Sequence, residues 1–351
     1  MTPRVYLDWN ATTPLRPEAR AAMQAAMDAV GNPSSVHAEG RAARGIVERA
    51  RIAVATAFGA YPDEVIFTSG ATEAAALALA GRDLAAAPVE HDCVAAWTRQ
   101  ALPVGRDGRV AVADPAGSVL QAANSETGVL QDLPAGLALV DAAQIAGKAA
   151  FAFGRTGATA ALLSAHKFGG PKGAGALLLR AGASAAPTLR GGGQETGRRA
   201  GTENLVGIAG FGAAAAAAAR DLADGVWERV AELRNILEGA LASAASETIF
   251  VGKGAAHLPN TICLATPGWK GETQVMQMDL AGFAISSGSA CSSGKVRPSR
   301  VIEAMGLGAE AASGAIRVSI GPATTEAEAL AFADAWQKQH RRFRAKAAVA
   351  A

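Results

Sequence analysis

Apolar positions along this chain switch between a helical and an extended period. Residues 14–30 and 38–58 carry apolar side chains at helical spacing, the second segment with Val47, Ala50 and Val54 on one face. The run Glu64-Val65-Ile66-Phe67-Thr68, closed by Ser69-Gly70, predicts a short strand, with a helix starting around Thr72. Four more apolar runs, at 119–123, 137–140, 160–163 and 174–179, each end in polar or glycine residues. Short buried strands alternating with helices predict an α/β domain around a mostly parallel sheet. Two long helices follow, over 204–221 and 226–245. Beyond them the pattern changes to strands at 248–251, 260–264, 283–286 and 315–319, around a helix at 272–280. That change sets an expected domain boundary near residue 246. No internal repeat is visible.

Composition narrows the class. With 351 residues, 50% of them hydrophobic, the chain can bury a sizeable core in two or three domains. The 33 Lys and Arg balance 31 Asp and Glu to a net charge of +2, which points to neither an acidic nor a basic partner. The basic cluster at 338–346 (KQHRRFRAK) reads as a solvated helix end rather than a nucleic-acid patch. No apolar run reaches the roughly 18 residues of a membrane span, and MTPRVYLDWN lacks a signal-peptide core. The three cysteines, Cys93, Cys263 and Cys291, form neither a disulfide framework nor a zinc spacing, so a reducing cytoplasm is expected. The alanine run 213–219 suits a helix interior and carries no further meaning.

Candidate chemistry gathers at the predicted strand ends. In Ser164-Ala165-His166-Lys167-Phe168-Gly169-Gly170-Pro171-Lys172-Gly173 a lysine leaves a buried strand and enters a glycine-rich loop. Most lysines are surface residues, but burial here would lower its pKa and suit it to Schiff-base chemistry. Asp141, in Val140-Asp141-Ala142-Ala143-Gln144, is either a helix N-cap or a carboxylate for a pyridine nitrogen. The turn Thr68-Ser69-Gly70-Ala71-Thr72-Glu73 offers backbone N–H groups and hydroxyls that suit a phosphate, or else only caps a helix. Three such signals at strand ends of one sheet reinforce one another, because open α/β sheets bind ligands there. Cys291 stands in Ser286-Ser287-Gly288-Ser289-Ala290-Cys291-Ser292-Ser293-Gly294, a composition too small and polar for a core. An accessible thiol is a candidate nucleophile. Cys263, in Thr261-Ile262-Cys263-Leu264-Ala265, reads as core, and Cys93, two residues after His91, reads as structural.

The runs LDWNATTP, GATE, SAHKFGGPKG, GGGQETGRRAGTEN, SSGSACSSG and IRVSIG together resemble the cysteine desulfurases, in that family's order, from Tyr6 to about Gly321. The serine-rich loop around Cys291 resembles the nitrogen-fixation and housekeeping branch. The resemblance implies the fold-type I architecture of pyridoxal-phosphate enzymes. Residues 14–245 would form a large cofactor domain and 246–351 a smaller α+β domain, with 1–13 packing on the latter. It further implies a homodimer with shared active sites, L-cysteine as substrate and pyridoxal 5'-phosphate as cofactor. The sulfur would pass to an acceptor such as an iron–sulfur scaffold protein. No metal, nucleic acid or membrane is implied.

Carried across motif by motif, Lys167 would hold the cofactor, Asp141 would pair with its ring nitrogen and Gln144 would hydrogen-bond its phenolic oxygen. His91 would stack on the ring and help in proton transfer. Ala71, Thr72, Ser164 and His166 would bind the phosphate, joined by Thr202 of the partner subunit. Asn124 would sit beside cofactor and substrate. Arg317 would clamp the substrate carboxylate, assisted by Asn10, and Cys291 would receive the sulfur. The pattern departs from the family at Ser125, at Thr196 and at Asp92-Cys93, and segments appear trimmed around 81–88 and 107–118. A selenocysteine lyase or another class V enzyme would share most of these motifs. A cofactor-bound scaffold that has lost catalysis is the alternative from outside enzymology.

Overall fold

The computed structural model describes residues 4–288 and 298–350. A five-stranded sheet runs in the order Val65–Thr68, Gly175–Leu179, Ala160–Ser164, Leu139–Asp141, Val119–Gln121. Leu139–Asp141 pairs in parallel with both neighbours, whereas Gly175–Leu179 is antiparallel to both of its own. Four strands therefore share one direction and the fifth returns against them. The return follows from chain length: residues 165–174 are too few for the roughly dozen that a parallel crossover needs.

Side chains along these strands alternate between two cores. Val65, Phe67, Leu120, Val140, Ala161, Leu163, Ala176 and Leu178 face a cluster shared with Val47, Val54, Phe58 and Phe211. Ile66, Val119, Leu139, Ala160, Leu162, Leu177 and Leu179 face the opposite cluster, which holds Ala74, Leu77 and Ala78 of the helix Ala71–Leu79. With helices on both faces, the strands are buried throughout and read as continuous apolar runs. The helix Ala38–Phe58 spans the expected residues and stops at Gly59, whose φ of 63° closes the last turn in the left-handed region that glycine favours.

A second sheet has the order Ser286–Ser287, Ala315–Ser319, Thr261–Ala265, Ile249–Phe250, antiparallel throughout. The single strand expected at 283–286 is two strands instead. Phe283–Ala284 pairs in parallel with Val5–Tyr6, and Ser286–Ser287 joins Ala315–Ser319. A strand that changes partners in mid-run satisfies two edges at once, and that is settled by tertiary pairing rather than by periodicity. The helix Val226–Ala244 sends Trp227, Val230, Leu233, Leu237 and Leu241 into the cluster that holds Leu7, Ile262, Leu264, Phe332 and Trp336.

The helix Leu205–Ala223 is long and apolar enough to cross a membrane by length and composition. In the fold it is a packing element. Residue Gly212 lies so close to the helix Ala38–Phe58 that an added Cβ would come within 2.6 Å of the Ala50 Cα.

Candidate active site

The strands that share a direction end at Thr68, Gln121, Asp141 and Ser164. Their ends open on one cavity of about 610 Å³, in the crevice where open α/β sheets bind ligands. Among the expected residues, Asn10, Ala71, Thr72, His91, Asp141, Gln144, Ser164, His166, Lys167 and Arg317 all line it.

One end of the cavity suits an anion. The strand Val65–Thr68 turns at Ser69-Gly70 into the helix Ala71–Leu79, whose first N–H groups have no partner within the helix. A Cβ built on Gly70 would meet no atom within 4 Å, so the turn faces open space. Ser164 and His166 come to the same cavity from the end of Ala160–Ser164, two places along the sheet. The His166 imidazole is pushed down to about 4 by its burial and then by the charges of Lys167, Lys172 and Lys148. Its Nδ1 lies 3.2 Å from the Thr12 hydroxyl.

The middle of the cavity holds the titratable groups. Lys167, in a short 3₁₀ turn directly after the strand, donates from Nζ to the carbonyl oxygens of Asn10 (2.7 Å) and Ala11 (3.0 Å). Asp141 is buried, and burial raises its carboxyl above the ordinary range against the Ala143 N–H bond and the charges of His91 and Lys167. A cationic ring nitrogen is a partner that suits such a carboxylate. Gln144 Nε2 donates to the Asn10 carbonyl at 3.0 Å, while its Oε1 accepts from Lys148 Nζ at 2.7 Å.

His91 caps the short helix Asp92–Ala95, its Nδ1 accepting the Cys93 N–H at 3.2 Å. An accepting Nδ1 leaves the neutral ring's proton on Nε2. The Cys93 sulfur is 3.0 Å from the same nitrogen and lines the cavity. Its side chain is thus both buried and part of the wall. Glu90, which the sequence reading passed over, is fully buried and held well above the ordinary carboxylate range by desolvation and then by Asp141. Its Oε1 accepts the Gln121 N–H at 2.8 Å.

Arg317 stands at the other end, in the middle of the strand Ala315–Ser319. It is 1% exposed, donates to Asp8 Oδ1 (2.7 Å), the Ser125 carbonyl (3.0 Å) and the Ser286 hydroxyl (3.2 Å). Its Nε is buried with no hydrogen-bond partner among the described residues. A substrate carboxylate is the acceptor this donor set fits. The sequence reading missed Asp8, although it lies within the LDWN run, because an ion pair over so long a separation is a tertiary fact.

Two expected residues stand elsewhere. Asn124 does not line the cavity; its Oδ1 accepts the N–H groups of Glu126 and Thr127, and its Nδ2 donates to the Val89 carbonyl. A buried side-chain amide satisfied by its own loop braces that loop instead of facing a ligand. Thr202 lines a separate cavity of about 200 Å³, with Ser69, Gly173 and Arg199. Cys291 lies outside the described residues. Cys263 is core, as expected, with its thiol pushed up by burial. At the departure from the family pattern, Glu195 and Thr196 both adopt left-handed backbone, at φ of 48° and 59°. The bend is pinned by Glu195, which pairs with both terminal nitrogens of Arg51 at 2.7 and 2.9 Å.

The fold and the residues at its strand ends define an enzyme that uses pyridoxal phosphate. The class-V aminotransferase family matches residues 5–98 and 117–332. The interruption falls at a segment read as shortened, which here forms a tight turn with Arg106 donating to the Gly306 carbonyl at 2.9 Å. A cysteine desulfurase of Cereibacter sphaeroides is 41% identical over 93% of this chain and 92% of its own length. The cysteine desulfurase IscS of Dictyoglomus turgidum is 36% identical over the same shares. A NifS-like protein from Rickettsia africae has the same fold, with a TM-score of 0.87 at 28% identity over 96% of this chain and 99% of its own. The chain belongs to the class-V aminotransferase family, within its cysteine desulfurase branch.

Proposed function

We infer that this protein is a cysteine desulfurase, converting L-cysteine to L-alanine and carrying the sulfur on Cys291 as a persulfide. One observation carries the reading: Lys167, Asp141, Gln144 and the Gly70–Thr72 turn share a cavity with an Arg317 that keeps a buried donor with no partner among the described residues. Bound pyridoxal phosphate supplies an electron sink for the α-carbon of an amino acid. Lys167 would hold the cofactor, and its amine is the base placed to take the α-proton of the bound amino acid. Asp141 keeps the ring nitrogen protonated. Gln144 gives an N–H to the ring oxygen, and His91 covers the ring face. The Ala71 and Thr72 N–H groups, Ser164 and His166 hold the phosphate. Arg317, with Asn10 behind it, holds the substrate carboxylate.

The Cys291 thiolate attacks the substrate sulfur. An S–S bond forms as the substrate's C–S bond breaks, and the carbon skeleton takes up protons and leaves as L-alanine. Asn124 acts indirectly, by bracing the loop that presents the Ser125 carbonyl to Arg317. Thr202, whose side chain lies off this cavity, serves the site of a second copy in a homodimer. An iron–sulfur scaffold protein is the acceptor in view, and the cytoplasm the compartment. The packing of Val226–Ala244 against the second sheet favours a domain boundary at Gly225 rather than near residue 246.

The test is alanine formed from L-cysteine, with reductant, by the parent and by Cys291→Ser. The parent makes alanine; the variant keeps the yellow cofactor and loses at least about 100-fold in rate, as expected when a nucleophile is removed. Full activity in the variant removes Cys291 from its role. Absence of alanine from both points to another substrate, with L-selenocysteine the first to try, or to a scaffold.

A further inference from the structure

Lys148 is 1% exposed and forms no ion pair with any carboxylate among the described residues. Its Nζ donates to Gln144 Oε1 at 2.7 Å and to Asn10 Oδ1 at 2.9 Å. The charged groups nearest to it are Lys167 and Arg317, both cations, so burial and like charge together hold its ammonium well below the usual lysine range. A buried lysine with two cations for company is costly. Such an arrangement persists where the donor does something an apolar side chain would not.

A carboxamide can turn over, exchanging its donor and acceptor ends, and packing alone distinguishes the two orientations poorly. A protonated Lys148 has donors and no acceptor, so in that state the end of Gln144 facing it is oxygen. The opposite end is then the NH₂ group, and it approaches the Asn10 carbonyl oxygen at 3.0 Å. Lys167 Nζ reaches that same oxygen at 2.7 Å. The Gln144 donor and the Lys167 nitrogen therefore converge on one point.

We propose that Lys148 is a positioning residue that locks the Gln144 carboxamide with its N–H end toward Lys167. There the second N–H meets the ring oxygen ortho to the carbon attached to Lys167. The inference rests on the cofactor reading of the cavity. Without Lys148 only the Asn10 carbonyl opposes the flipped amide, which presents an oxygen to a ring oxygen that needs a donor.

The readout is the pH titration of the visible absorption of the bound cofactor without substrate. A donor to the ring oxygen favours its deprotonated form. Lys148→Met, which keeps the side-chain bulk and removes the donor, raises the midpoint by about one unit, the scale of one lost hydrogen bond to a charged group. In a Gln144→Leu background the same substitution adds no shift, because the residue through which Lys148 acts is gone. An unshifted midpoint in Lys148→Met overturns the proposal, and so does an equal shift in both backgrounds. If Lys148→Met does not fold, a crystal structure of the parent holoenzyme decides: Nζ within hydrogen-bond distance of Gln144 supports the lock, and a Lys148 paired elsewhere overturns it. Failure of the cofactor reading itself would look different, as a parent protein with no visible band to titrate.

Discussion

His166 is a base placed where a phosphate is to bind, yet its own surroundings keep it neutral. Burial is the larger cause and the nearby lysines the smaller, together bringing it from 6.5 to about 4. The unfolded chain takes up this proton below pH 6.5, and the folded apoprotein refuses it until about pH 4. Stability of the apoprotein therefore falls as pH falls across that window. Replacing His166 with Asn removes this part of the slope. Urea unfolding of apoprotein at three pH values between 7 and 4 checks it, and parallel curves for parent and variant would contradict it. At this scale the sequence was informative wherever a residue stood in a local motif. Lys167 and Asp141 could be named because strand ends and turns are short-range signals, whereas Gln144 and His166 came from the family resemblance. Lys148 could not be named. It sits one helical turn after Gln144, but its partners include Asn10, far off in the chain, and a lone lysine in an apolar run reads as surface.

Elements were legible to the extent that their own sequence decides them. Ala38–Phe58 and Ala315–Ser319 have the expected bounds because one ends in a glycine cap and the other, with β-branched Ile316 and Val318 on either side of Arg317, starts just after Gly314. The split of 283–286 into two strands was not legible, since it depends on Val5–Tyr6 arriving as a parallel partner. The close approach of Leu205–Ala223 to Ala38–Phe58 is equally tertiary. Gly212→Ala improves intrinsic helix propensity by about 1 kcal/mol, yet its Cβ would lie 2.6 Å from the Ala50 Cα. Backbone cannot give way as a side chain can. The steric term wins, and Gly212→Ala is expected to destabilise by a net 1–3 kcal/mol, roughly the cost of overpacking a core. Gly210→Ala is the control. Its nearest neighbour is the flexible Met23 side chain, at 2.6 Å from the added Cβ, so it should cost much less. Urea midpoints for the two variants give the comparison, and equal midpoints would count against the packing argument.

On the scale of the whole molecule, the cavity is assembled from pieces far apart in the chain. The first strands of the large sheet bring the Gly70 turn, later ones bring Asp141 and Lys167, the N-terminal segment brings Asn10, and the second sheet brings Arg317. Asn10 joins them: its Nδ2 donates to Thr261 Oγ1 at 2.8 Å, its Oδ1 accepts from Asn260 at 3.1 Å and from Lys148, and its carbonyl receives Lys167 and Gln144. Motif order along the chain was enough to foresee that the Gly70 turn, Asp141, Lys167 and Arg317 would meet, but neither the positions of Asn124 and Thr202 off the cavity nor the buried polar network that holds the others in register.

Among the described residues three lysines, Lys148, Lys167 and Lys172, stand in or against this cavity, and the account requires the cofactor on Lys167. Borohydride reduction of the yellow holoenzyme, followed by proteolysis and mass spectrometry, fixes the cofactor to its lysine and locates it. The account predicts label on Lys167 and a loss of labelling in Lys167→Ala. Label on Lys148 or Lys172 in the parent, or no covalent label at all, would contradict it.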